Sequence, residues 1–366
     1  MKKIIAFCLP FFLTVSLFSK SYINDDYVVA YRNAVTCFEN NEYGKALKFA
    51  EDAILYKNNR IAEETSILEK SFSSRDVKRA GDKITSVIPV LEYRDEKDCI
   101  SIINYYVEIK SIDFYKNSIT NLLNYIKSLA AYPEAEKIIG DVYKLEGEYD
   151  FAEEYYTQAL NNKDVLDIPA EQYTILYDLA EISRLKNDEN RMEIRLLNII
   201  DEKQVMKNKQ ISSSVNKLFQ RKQEKQKLTK LLTMYKSEGY YYLNAYNKLA
   251  EYYYSKEEYS KAFDYSLISI VTSFTKIESI LKARDMDYQF KDLQTFLADI
   301  EHHGDIIRWG NENNVWKNYN DFARICGKLN YSDVWFELLT ILSQSSPEKY
   351  WQQEAVLQLD IADGIN

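Results

Sequence analysis

Small residues recur along this chain at a fixed distance, with tyrosines keeping step. Ala34 and Ala46 stand twelve residues apart, as do Gly140 and Ala152, and Ala250 and Ala262. Tyr43, Tyr149 and Tyr259 each come three residues before the second small residue. Tyr143 and Tyr253 come three residues after the first, and Ala53 and Ala159 lie seven beyond Ala46 and Ala152. Two helices joined by a short turn account for this pattern. Small side chains at the crossing let the helices approach closely, and the aromatic rings fill the space between one pair and the next. Composition supports the same reading. With nine Gly and five Pro in 366 residues, the chain is poor in the residues that build β-turns, so a sandwich or barrel is disfavoured. No G-x-G or G-x-x-x-x-G-K occurs, which removes dinucleotide and P-loop folds.

The spacing resembles the tetratricopeptide repeat, a unit of about 34 residues forming two antiparallel helices. Windows 27–60, 133–166 and 243–276 carry it closely. Weaker outlines fall at 61–94 around Ala80, at 102–126, at 173–206 (where Met192 replaces the small crossing residue) and near the end. That last outline has Phe322, Ile325, Tyr331, Val334, Leu338, Ile341 and Pro347 without the small residues. The resemblance implies an all-α solenoid whose repeats stack into one continuous core and expose a concave groove. The expected organisation is a signal peptide (1–21), an N-terminal array (22–202), a basic helical segment (203–236) and a C-terminal array (237–366).

In such repeats the first helix of each pair faces the groove. Carried over by position, the groove residues are Tyr31, Val35 and Phe38; Lys137, Asp141 and Lys144; Tyr177, Glu181 and Arg184; and Asn247, Glu251 and Tyr254. This mixture of charged and aromatic groups suits hydrogen bonding and stacking with a protein partner. The clamp that grips a C-terminal carboxylate in some family members is not expected. Asp141 stands where that clamp has Asn, and would repel the ligand.

Residues 1–21 have the form of an export signal: Lys2 and Lys3, an apolar run from Ile4 to Phe18, then Ser19-Lys20-Ser21. The expectation is export to the periplasm of a diderm cell, with the mature chain starting near Tyr22, or anchored where the signal stays uncleaved. Without Lys2, Lys3 and Lys20 the formal charge goes from −9 to −12, which argues against nucleic-acid binding. Against that acidic background, Lys203 to Lys236 holds ten basic residues and the single acid Glu224. Leu228, Leu231, Leu232 and Tyr235 follow an amphipathic helical period there. The segment reads as a solvated basic face, with an anionic partner or membrane headgroups as the alternative. Cys37, Cys99 and Cys326 remain in the mature chain and read as small apolar residues on helix faces.

Little points to catalysis or to a metal. His302 and His303 are the only histidines, and adjacent helical residues point about 100° apart. Neither H-E-x-x-H nor C-x-x-C is present. The expectation is a non-catalytic binding scaffold without cofactor or metal. Its rivals are a small-ligand component assisting a transporter, with Trp309, Trp316, Trp335 and Trp351 available to line a cavity, and a structural subunit of an envelope machine for secretion, cell-wall or flagellar-collar assembly.

Overall fold

The computed structural model describes residues 26–73, 123–124 and 126–364. Among the described residues there are fifteen α-helices, two short 3-10 turns and no strand. The chain divides between Asn187 and Asp188 into two compact units. The export signal, Ala80 with most of window 61–94, nearly all of 102–126 and Cys99 lie outside the described residues.

The first unit contains α1 (Asp26–Glu39), α2 (Tyr43–Ser73), α3 (Pro133–Glu146), α4 (Tyr149–Asn161) and α5 (Glu171–Leu185). Helix α1 packs on α2, both pack on α3, and α4 lies between α3 and α5. Ala34, Ala46, Ala50 and Ala53 are wholly buried where α1 meets α2, as are Ala152 and Ala159 on α4. Gly140 shows why a small residue is needed: a Cβ added there would lie 2.8 Å from the Tyr156 ring. Helix α2 continues to Ser73, past the end of window 27–60. The stretch Lys57-Asn-Asn-Arg-Ile-Ala has no Gly or Pro to stop it.

The second unit contains α6 (Glu189–Ile199), α7 (Glu202–Phe219), α8 (Lys227–Met234), α9 (Leu243–Ser255), α10 (Tyr259–Arg284), α11 (Leu293–Ile300), α12 (Gly304–Glu312), α13 (Val315–Lys328), α14 (Ser332–Ser345) and α15 (Lys349–Gly364). The 26-residue α10 is the central element, in contact with α7, α8, α9 and α13. Its buried face carries Ser266, Ser269 and Thr272, which donate to Asn318, Asn247 and Ser237 respectively. Small side chains thus permit close approach while their hydroxyls supply specific bonds. The C-terminal outline carries Phe322 and Val334 at the two repeat positions, as read, and packs other small residues of α13 tightly instead. Ala323 and Cys326 are fully buried on α13, and a Cβ at Gly327 would lie 3.3 Å from the Trp335 ring. They escape notice because they stand at other steps of the helix than Ala250 or Gly140.

One turn geometry recurs. Asn41, Gly147, Glu257 and Asn330 all have left-handed backbone, with φ of 60°, 82°, 60° and 59°. At each, this residue's N–H donates to the carbonyl three back and the next N–H to the carbonyl five back. Gly147 and Glu148, for example, donate to Lys144 and Tyr143, and Glu257 and Glu258 to Tyr254 and Tyr253. This pair of hydrogen bonds satisfies the last carbonyls of one helix and reverses the chain into the next. Tyrosine then opens α2, α4 and α10.

Two substitutions test these constraints in opposite directions. Glu257→Gly relieves a left-handed non-glycine residue and should stabilise the chain by about 0.5–1 kcal/mol. Gly140→Ala drives a methyl into the Tyr156 ring and should cost about 1–3 kcal/mol. Urea unfolding followed by circular dichroism measures both.

Candidate functional site

In the first unit, α1, α3 and α5 line a half-open pocket of about 370 Å³. Tyr31, Val35 and Phe38 from α1 and Ile138 from α3 give it an apolar side, while Glu134, Lys137, Asp141 and Glu171 give it a charged one. Five expected groove residues, Tyr31, Val35, Phe38, Lys137 and Asp141, therefore meet around one space.

Helix α3 starts at Pro133, a residue suited to the first helical position, with Glu134 and Glu136 in the turn where the helix dipole favours negative charge. Both are nevertheless buried, because they fasten the segment leading to α5. The Asp167 backbone N–H donates to Glu134 Oε1 at 2.7 Å, and Asn162 donates to Glu136 at 3.2 Å. Glu134 Oε2 is buried without a partner. Burial pushes the Glu134 carboxyl up to about 7, against the opposing effects of the Asp167 N–H and the Lys57 charge. Burial, followed by the charge on Glu134, pushes the Tyr31 phenol up to about 12.

The cations beside this pocket are already engaged. Lys137 Nζ lies 2.7 Å from Asp141 and 3.7 Å from Asp178, and Lys144 Nζ lies 2.7 Å from Asp178. The buried Tyr156 hydroxyl donates to the other oxygen of Asp141. Burial would lower the Lys137 ammonium, but Asp141 and then Asp178 outweigh it and hold it above its ordinary value. Among the remaining expected groove residues, Glu181 and Arg184 pair with each other along α5, and Tyr177 is half-buried next to Asp178.

In the second unit, Asn247, Glu251 and Tyr254 line a pocket of about 210 Å³ between α9 and α13. Their roles differ. The Asn247 amide is committed at both ends, donating to the Asn313 carbonyl at 2.9 Å and accepting from Ser269, so it ties α9 to neighbouring elements. Glu251 pairs with Lys317, and Tyr254 packs edge-on against Tyr259.

Lys317, Asp321 and Arg324 also line this pocket, and sequence reasoning missed them. Lys317 bonds Asp321 at 2.8 Å, and Arg324 reaches Asp321 at 3.3 Å and Glu354. Their spacing was visible. Lys317-x3-Asp321-x2-Arg324 repeats Lys137-x3-Asp141-x2-Lys144 at an offset of 180 residues. In both units the triplet lies on the helix that meets the preceding groove helix, and its first lysine also reaches an acid on a neighbouring helix, Asp178 or Glu251. Asp178 could be found only from the fold.

The basic segment splits into paired and exposed parts. Lys227 is buried, donating to the Phe219 carbonyl and pairing with Asp333; Lys236 pairs with Glu278, and Lys230 with Glu224. Leu228, Leu231 and Leu232 are buried on α8, and Tyr235 follows the helix as an extended residue. Lys203, Lys207, Lys209 and Lys217 lie exposed along α7. His303 Nδ1 lies 2.9 Å from Arg284. Among the described residues no three His, Cys, Asp or Glu side chains converge as metal ligands, and Cys37 and Cys326 are free thiols. No helix among the described residues is long and apolar enough to cross a membrane.

The Glu134 environment has a measurable consequence. Its carboxyl is raised from the ordinary 4.5 to about 7. Its contribution to stability is therefore complete below pH 4.5 and lost as pH rises through 7, because the unfolded chain ionises first. Glu134→Gln should remove this component. The variant's stability relative to wild type should rise between pH 4.5 and 8, read from urea midpoints across that range.

No family model matches the chain. It is similar to an uncharacterized protein of Treponema pallidum (strain Nichols), 23% identical over 329 residues that cover 90% of this chain and 88% of that protein. That span exceeds the length of either unit, so the similarity takes in both.

Proposed function

We propose that the protein is an exported, non-catalytic scaffold built as a tetratricopeptide-like solenoid, and that it binds a protein partner along its groove. One observation carries this reading: in the first unit, expected groove residues from two separate repeat windows gather around one pocket. Tyr31, Val35 and Phe38 come from one window and Lys137 and Asp141 from another, while Asn247, Glu251 and Tyr254, all of a third window, line the pocket of the second unit. The small-residue crossings and the recurring left-handed turns also favour repeated helix pairs. Exposed lysines on α7 provide a second contact for an anionic partner or membrane headgroups.

A second reading, binding of a small ligand, draws support from a cavity of about 310 Å³ lined by Trp316 and Trp351. A thermal-shift screen against metabolites distinguishes it, since a specific small ligand raises the melting temperature by mass action.

To test the groove reading, partners are captured from the exported fraction with wild type and with a Glu251→Ala, Tyr254→Ala double variant whose melting temperature has been matched to wild type. The variant should lose at least one partner retained by wild type. An identical partner set would overturn groove binding.

A further inference from the structure

The first-unit pocket is unbalanced in charge. Four carboxyl groups line it, from Glu39, Glu134, Asp141 and Glu171, against the single ammonium of Lys137, and above pH 7 all four are charged. That ammonium is already shared between Asp141 and Asp178, and Asp141 also accepts the Tyr156 hydroxyl. Glu134 is 5% exposed, and its Oε2 is buried without a hydrogen-bond partner while Oε1 holds the Asp167 N–H. A buried carboxylate oxygen left in this state lacks a donor. No third metal-binding side chain converges here among the described residues, so a bare divalent ion is poorly matched. The opposite side is apolar: Tyr31, Phe38 and Ile138 can cover a hydrocarbon stem, and the two aromatic rings favour a cation nearby.

We propose that this pocket takes a lysine or arginine side chain of the groove-bound partner, with its charged head at Glu134 and Glu171 and its stem along Tyr31, Phe38 and Ile138. This rests on the groove reading above and gives the partner a chemistry: an extended segment with a basic anchor. The second-unit pocket differs at the matching positions. Asn314 replaces Glu134 and Asn318 replaces Ile138, so the acidic, half-apolar character belongs to the first unit.

The test uses the full mature chain at 0.15 M salt and fluorescent, capped twelve-residue peptide pools that differ at one fixed position: Arg, Lys, citrulline or Glu. Anisotropy is read with wild type, Glu134→Gln and Glu171→Gln. In Glu134→Gln the new amide oxygen can still accept from the Asp167 N–H, and the circular dichroism spectrum verifies the fold. Wild type should bind the Arg and Lys pools about tenfold or more tightly than the citrulline pool, the range expected for a charge-assisted hydrogen bond. Both variants should erase that preference. Because the acidic chain attracts any cation, an Arg preference that persists in both variants would overturn the proposal. Equal binding of the Arg and citrulline pools to wild type would also overturn it, while leaving the groove reading intact. Binding of no pool would overturn both. Spermidine binding that is lost in Glu134→Gln, without peptide binding, would identify a free amine as the ligand and overturn the partner side chain.

Discussion

The left-handed residue that closes a helix and reverses the chain is the constraint on which the rest depends. Without it, the carbonyls at the end of α1, α3, α9 and α13 would lack partners, and the following helices could not fold back at such short range. A chain with few glycines meets this demand mostly with other residues. Asn41 and Asn330 tolerate the conformation through a short polar side chain, while Glu257 adopts it at a local cost. The scarcity of glycine therefore excludes hairpin-rich β folds without excluding sharp helical turns.

Once a pair is reversed, its crossing decides how much can be buried. Gly140 beneath Tyr156 and the buried alanines of α1 and α2 bring backbones close enough for the aromatic rings to fill what remains. Tyr253 stacks on Tyr265 at 5.5 Å, and Tyr143 packs between Phe151 and Tyr155. Much of the tyrosine excess is thus consumed in packing. Tyr31 and Tyr254 belong also to the pockets, where a ring can cover apolar area.

Pocket chemistry follows from which charges find one another. Lys137 and Lys317 begin the same spacing on α3 and α13, and each is drawn to an acid four residues on and to another on a neighbouring helix. The cations are largely neutralised in both units. The units diverge in what is left over: an unpartnered carboxylate oxygen at Glu134 in one, and a polar amide-lined wall at Asn314 and Asn318 in the other.

Local spacing determined the helical class, the positions of the close crossings, and the sets of residues that could face one another across a pocket. Those properties depend on periods of three, four and twelve residues, all visible along the chain. The 180-residue echo of Lys137, Asp141 and Lys144 was equally visible, but it has meaning only once Lys137, Asp141 and the whole second triplet are known to line pockets. Tertiary structure alone decided the charge balance. Lys144 meets Asp178 across 34 residues, Lys317 meets Glu251 across 66, and Lys227 is buried against Asp333 across 106. No local pattern records such pairings, because they arise from packing between helices distant in sequence. The same packing buries Glu134 and leaves one of its oxygens without a donor.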